Sequence, residues 1–576
     1  MRAVLGGSEW ALRVLPALGS VGLVALGAGP VRRLVGERTA LLHAGAALCM
    51  PVLLIHAHEA RMYTLAAVAV TAAAVYGALA VREGRRGDWL RLGGASLAAA
   101  YLHNYGLIAA FFVHAFVLGW VVLRRRERLA PCLWTGGIVA AGYAPWLARV
   151  LSQAAQVKGQ GFWVPPPSWR GVGEVLLRPF VLKELYPGYP PVRSWMVAAL
   201  ALCAALILWG VLDAWRRRDA EARTTGALLV TIYAGTFAAA LVVSVTVVPV
   251  LFHRYFIVCT GVLALLTAMG AARLPGRASA WAALGALALL NGATFRIIYT
   301  QTLNAPMREV THDLRHVMLP GDLVITSDSW SLGPSMYYLP EAVFFHTDNR
   351  WEARWGQILE VLVPPLHRER GLKELLAGRR SFWYVTCSIG MAKDLSEIVD
   401  GEEGWEPQGD PRVWPKLPYG AYGFTAQRYV FTGRKPEGGT LEVHVTGLRS
   451  GGNLFVSLFD HEPIQGKPAR WKLLPIGGPE LTFRLGGLAD GDYVLIMLHD
   501  EDGNQRWDLD ARRRPLEGGF AVNGDKVVAD AVAAGMKAED LGMDVFSWNN
   551  LKFPFAGPTQ VVDAKIGYPR PPRAAR

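Results

Sequence analysis

The stretch HAHEARMYTL, residues 56–65, places His56, His58, Glu59 and Arg61 within six positions. A carboxylate can accept a proton or hold a cation, and a guanidinium binds oxyanions through paired N–H donors. Arg254 in HRYF (253–256) offers the same anion chemistry, with Tyr255 beside it. LHNYG (102–106) contributes His103 and Tyr105. On a helix His56 and His58 do not share a face, whereas His56 and Glu59, three apart, do. A divalent ion between His56 and Glu59 is one reading, and interfacial polar packing is the other. Every one of these charges also has a bland reading, as an Arg that snorkels at a helix end and a Glu that pairs with a neighbour.

The elements around these residues are apolar. Runs long enough to cross hydrocarbon occur near 11–29, 39–57, 62–81, 130–150, 195–214, 226–251, 255–272 and 279–298. A longer run, 92–123, begins and ends beside arginine clusters, so it must turn back, and LHNYG in its middle suits the reversal. About ten crossings result.

Charge fixes the expected sidedness. Residues 1–300 hold 28 Lys and Arg against 11 Asp and Glu, while the remainder holds 31 against 36. The basic excess sits in clusters between apolar runs: Arg32, Arg33 and Arg38; Arg82, Arg85, Arg86 and Arg91; Arg124–Arg128; Arg216–Arg223; Arg273 and Arg277. That is the positive-inside pattern and excludes a nucleic-acid surface. It places the segments 56–61, 151–193 and 252–254, everything after residue 300 and the N-terminus on the outer side.

The second half reads as soluble. Residues 301–434 suggest an α/β domain, with a helix in MREVTHDLRHVM, a turn at PGD (320–322) and strands at 323–327, 381–388 and 428–434. KPEGG (435–439) is a linker. Alternating runs with Gly turns from 440 to 568 suggest a β-sandwich, and 569–576 reads as a disordered tail. The fold class is therefore a multi-pass α-helical membrane protein of about ten helices, followed by a soluble α/β domain and a C-terminal β-sandwich. The five Cys show neither disulfide nor zinc spacing. Asp500, Asp502, Asn504, Asp508 and Asp510 crowd one loop without the Gly and Glu positions of a calcium loop, which favours a solvated turn. The paired interrupted helices of a transporter are not evident.

The membrane half resembles the GT-C superfamily of polyprenyl-phosphate-sugar-dependent glycosyltransferases, which includes the protein mannosyltransferase and aminoarabinose transferase families. The resemblance rests on GSEWALRVLPAL (7–18), HAHEARMYTL, LHNYG, YAPWL (143–147), FWVPPPS (162–168) and HRYF, in the family's order over about residues 7–300. It implies transfer of a sugar from a polyprenyl-phosphate donor to a lipid, glycan or protein hydroxyl, at the outer face of a bacterial-type cytoplasmic membrane. Such a transfer needs a base for the acceptor and cationic or metal stabilisation of the leaving phosphate. By resemblance Glu59 organises the site, as a metal ligand or acceptor contact, and Arg61 pairs with the donor phosphate. By resemblance His103 and Tyr105 face the outer cavity, a polar turn that satisfies backbone groups being the other reading, and Tyr63 belongs to the substrate- or donor-binding set. Arg254 and Tyr255 match an Arg-Tyr at the start of a late helix, with Arg254 on phosphate. FWVPPPS shields the carrier or stacks on a sugar, or is an aromatic anchor.

The superfamily's catalytic acid stands in a first outer loop that precedes the segment matched at Gly7. The expectation is that helix and loop are missing, either because the start lies further upstream or because the chain is an inactive remnant. Glu9 is not cast as the base. Residues 440–568 resemble an uncharacterised bacterial β-sandwich family, so the alternative is a GT-C-like scaffold presenting a binding module.

Overall fold

A computed structural model describes residues 8–567 apart from 161–163, 165, 181–189, 302–305, 327–328, 347–371, 388–403, 416–422, 434–437, 450–452, 462–468, 477, 501–517 and 534–546. The chain forms two compact units, Met1–Leu303 and Asn304–Arg576.

In the first unit, Ser8 caps α1 (Glu9–Ala25) by accepting the Ala11 N–H at 3.2 Å. A π-helical turn, Gly27–Val31, leads into α2 (Arg32–Leu48). Gly36 breaks that run at φ 80°, a value that suits glycine. The expected 39–57 span is divided, because Pro51 starts a separate short helix, α3 (Pro51–Ala57). Then follow α4 (Tyr63–Glu83), α5 (Arg86–Leu102), α6 (Asn104–Arg124) and α7 (Leu129–Gln160). The bundle ends with α8 (Trp169–Leu177), α9 (Pro190–Arg216), α10 (Ala220–Thr246), a 3-10 turn at Tyr255–Cys259, α11 (Thr260–Ala271), α12 (Gly276–Leu290) and α13 (Gly292–Thr300).

The run 92–123 does reverse. His103 adopts φ −162°, ψ 142° between α5 and α6, and its Nδ1 accepts the Tyr105 N–H at 3.0 Å. Gly106 lets the two helices approach, since a Cβ there would collide with the Ala99 carbonyl. α4 is rich in Ala and buried along most of its length, as expected for the centre of a bundle. Among the described residues five stretches are long and apolar enough to cross a membrane, or six if the bent α12–α13 pair is one span. The figure of about ten is not reached on this measure. α1 and α2 count as one stretch, and α3, α5 and α11 are short.

One end of the bundle is knit by arginines. Arg33 pairs with Glu83 at 2.8 Å and with the buried Asp88, joining α2 to α4 and α5. Arg82 donates to the Leu34 carbonyl at 2.7 Å, Arg128 to the Val81 carbonyl and Arg38 to the Gly276 carbonyl at 2.5 Å. Arg273 binds Asp213 at 2.9 Å and also Asp219, linking α9, α10 and the end of α11. The connections at 58–62, 103 and 247–254 lie at the other ends of their helices.

The second unit contains a five-stranded sheet of order β2-β1-β3-β5-β4, from β1 (Leu323–Thr326), β2 (Val343–His346), β3 (Ser381–Cys387), β4 (Trp405–Trp414) and β5 (Phe424–Phe431). β1 pairs in parallel with β2 and β3, and β5 is antiparallel to β3 and β4. α14 (Met307–Arg315) and α15 (Ser329–Tyr338) share a core with this sheet, and α16 (Leu372–Leu376) packs with Leu323, Ile325 and Phe382.

Residues beyond 438 form two further sheets. One runs β11 (Gly518–Ala521), β10 (Gly491–Asp500), β7 (Asn453–Phe459), β8 (Arg470–Pro475), with β12 (Phe553–Phe555) also on β10. The other runs β13 (Thr559–Lys565), β6 (Gly439–Thr446), β9 (Glu480–Leu488). Val443, Val456, Phe483, Leu495 and Met497 meet in one core between them, a sandwich arrangement.

The glycine contacts generate a test. A Cβ at Gly270 in α11 would collide with the Leu206 carbonyl of α9. Gly270→Ala should therefore destabilise the chain by about 1–3 kcal/mol, read as a lowered thermal midpoint in detergent. Gly285→Ala, where nothing lies within 4 Å inside α12, should hold or raise the midpoint.

Candidate functional site

The end of the bundle opposite the arginine network gathers most of the residues singled out from sequence. His56 lies in the last turn of α3 and is fully buried. Ser20 of α1 steadies α3 by donating to the Leu53 carbonyl at 2.9 Å, and Thr64 of α4 donates to the Pro16 carbonyl at 2.8 Å. The short loop between α3 and α4 then carries Glu59 and Arg61.

Both ring nitrogens of His56 are engaged. Arg178 Nη2 donates to Nε2 at 3.1 Å, so Nδ1 carries the proton and donates to Glu59 Oε2 at 2.9 Å. A neutral imidazole thus bridges a guanidinium and a carboxylate. Burial alone would push the Glu59 carboxyl up. The His56 hydrogen bond and the positive charges of Arg254 and Arg61 outweigh it and hold the group down at about 2.

Arg254 and Tyr255 arrive from the loop after α10. Ser244 Oγ accepts the N–H groups of Val250 and Leu251 at 2.9 and 2.6 Å, which turns the chain. Tyr105 donates to the Val250 carbonyl at 2.6 Å and fixes that loop to α6. Arg254 Nε is buried and has no hydrogen-bond acceptor among the described residues. Arg61 is exposed and Arg254 partly so.

Aromatic rings connect these elements. The Tyr63 ring lies 5.3 Å from His56 and 5.5 Å from His103. Tyr255 lies 5.2 Å from His103 and 5.7 Å from Tyr105. Phe252 packs on Tyr255 at 5.4 Å. Glu59, Arg61, Tyr63, His103, Tyr105, Arg254 and Tyr255 therefore share one region, in which the described residues bring the Glu59 carboxylate together with the guanidiniums of Arg61, Arg254 and Arg178 and a ring wall.

Arg178 was not singled out from sequence. Its setting, LLRPF, gives no motif, and a lone Arg at an apolar helix end reads as an anchor; the signal was only that it is charged within an apolar context. His58 is exposed and caps α3, apart from the ring cluster. In FWVPPPS, Phe162 and Trp163 lie outside the described residues, as does the acidic loop after Asp500.

The His56–Glu59 pair does not fit a metal ion. His56 has no lone pair left, because Nε2 accepts from Arg178 and Nδ1 bears hydrogen. Among the described residues no group of three His, Cys, Asp or Glu side chains could hold one.

The chain is similar in fold to ArnT from Cupriavidus metallidurans in the apo state, at 12% identity and TM-score 0.46, covering 74% of this chain and 85% of that one. It is similar to the arabinofuranosyltransferase AftD from Mycobacteria at 16% identity and TM-score 0.37, over 75% of this chain and 34% of that one. A third similar structure is the archaeal oligosaccharyltransferase AglB from Archaeoglobus fulgidus with an inhibitory peptide and a dolichol-phosphate, at 10% identity and TM-score 0.41, covering 97% and 88%. No protein-family model and no curated protein matches the chain.

The ionised Glu59 predicts a pH signature. Its folded value lies below the ordinary 4.5, so its stabilising contribution is complete above about pH 4.5 and fades as pH falls toward about 2. The thermal-midpoint gap between the parent and Glu59→Gln should be flat from neutral pH down to about 5 and should narrow below that. A gap that changes between pH 6 and 8 would contradict this assignment.

Proposed function

We propose that the chain is a membrane protein of GT-C type that binds a polyprenyl-phosphate-linked sugar at the ring-walled end of its bundle, and that it serves transfer of that sugar to a hydroxyl on a lipid, glycan or protein. One observation carries the reading: the positive charges of Arg61 and Arg254 both act on the Glu59 carboxylate, while Arg178 reaches it only through His56. The local positive excess calls for an anion, and guanidiniums suit phosphate oxygens through paired donors. Arg254 supplies a buried N–H with no acceptor among the described residues. Tyr63, His103, Tyr105 and Tyr255 give the apolar and hydrogen-bonding walls that a sugar or the first isoprene units would meet.

Topology follows the same reading. With the arginine-knit end in the cytoplasm, the ring-walled end faces outward, where a lipid-linked donor presents its head group. The membrane is a bacterial-type cytoplasmic membrane, crossed about ten times when the short helices are counted. The residues after 300 lie outside it, as an α/β domain (301–434) and a β-sandwich (435–568).

A second reading is favoured by the state of Glu59. A carboxyl held at about 2 is a weak base, and its Oε2 already accepts from His56. On that reading the chain binds the lipid phosphate without turnover, as a scaffold for its β-sandwich.

The test is direct binding of undecaprenyl phosphate to the purified full chain in nanodiscs. Arg254→Gln and Arg61→Gln should each weaken binding by roughly ten-fold or more, the worth of a charge-assisted hydrogen bond. Unchanged affinity in both variants would remove the donor-site assignment. Sugar transfer from a lipid-phosphate donor by the same preparation would decide for the enzyme over the scaffold.

A further inference from the structure

A second candidate site lies in the α/β part of the second unit and is independent of the transferase reading. Strands β3, β5 and β4 run side by side, and their registers align Trp383 with Arg428 and Arg428 with Gln408. Three side chains of different chemistry therefore stand in a row across one sheet face.

Beyond Gln408 the pairing of β4 slips, and it resumes at Arg412 opposite Ala426. Gly409 has φ +67°, and the bulge it opens carries Asp410. Such bulges re-aim side chains and often flank sites. This one is held in place, since Gln427 Nε2 donates to the Gln408 and Gly409 carbonyls, both at 3.2 Å. A cavity of about 330 Å³ results, lined by Trp383, Gln408, Asp410, Arg412 and Arg428 with Val317 and Ala426.

Two buried donors lack acceptors here among the described residues: the indole N–H of Trp383 and the Nε–H of Arg428. Trp383 is only 5% exposed. Arg428 uses Nη2 on Ser381 at 3.2 Å, which fixes the guanidinium and leaves Nε turned elsewhere. Buried N–H groups without acceptors are uncommon and point to a missing oxygen. Arg412 faces Asp313 as well as Asp410, so the case for a negatively charged ligand rests on the open Nε–H of Arg428 rather than on net charge. Asp410 and Gln408 can accept from hydroxyls, and the indole offers an apolar face. The volume is at the small end for ligand pockets and suits one ring rather than a chain.

We propose that this cavity binds a single acidic sugar residue, a pyranose ring bearing a carboxylate. The carboxylate meets Arg428 and the Trp383 N–H, and the ring hydroxyls meet Asp410 and Gln408.

The experiment titrates the full chain in detergent with D-glucuronate, D-glucose and inorganic phosphate, followed by calorimetry. Glucuronate should bind saturably, and glucose and phosphate at least about ten-fold more weakly. Trp383→Phe keeps an aromatic ring in place and removes the N–H. It should weaken glucuronate about ten-fold, while the smaller ring leaves core volume unfilled and lowers the thermal midpoint on that account alone. Arg428→Gln and the exposed Arg412→Gln should each erode the preference for glucuronate over glucose. The proposal is overturned by no saturable glucuronate binding, by phosphate binding as tightly, or by affinity unchanged in Trp383→Phe and Arg428→Gln.

Discussion

A guanidinium enclosed among apolar helices needs a partner that can answer its charge. For Arg178 that partner includes His56, whose ring passes the interaction on to Glu59. The imidazole works because it is bifunctional when neutral: one nitrogen accepts, the other donates. Replacing it with any group that only donates or only accepts would break one of the two hydrogen bonds of this bridge. The ring-walled end is arranged around this bridge. α3 must stop at Ala57 to present His56, the loop must return Glu59 at three residues' distance, and α8 must deliver Arg178.

The opposite end obeys the same constraint with other means. Arg33, Glu83 and Asp88 close the connections among α2, α4 and α5, while Arg273 with Asp213 and Asp219 closes those of α9, α10 and α11. Between the two charged ends the helices carry small residues. Gly106, Gly261 and Gly270 admit backbone or short side chains of neighbouring helices where no Cβ would fit. Close approach of this kind supplies packing where apolar burial gives little preference for one partner over another.

The α/β sheet shows a different balance. Its central strands, β1 and β3, are continuous apolar runs and are plain from sequence. β2 and β4 are not. β4, WEPQGDPRVW, is an exposed edge with two prolines and no alternation, so it has none of the pattern that marks a strand. It exists because β5 provides a ladder for it, and its irregularity is what opens the cavity beside Trp383.

Sequence alone determined the apolar bundle, the reversal at LHNYG, the arginine-rich end and most members of the ring-walled cluster. These are legible because they depend on hydrophobic length, on charge placement and on residues adjacent in the chain. The partnership of His56 with Arg178 was decided only by tertiary structure, as was the loss of His56 as a metal ligand. The partners lie 122 residues apart, and whether an imidazole nitrogen keeps its lone pair depends on what packs against it. The same holds for Trp383, Gln408 and Arg428: nothing marks them along the chain, and they become a row only when three strands settle their register.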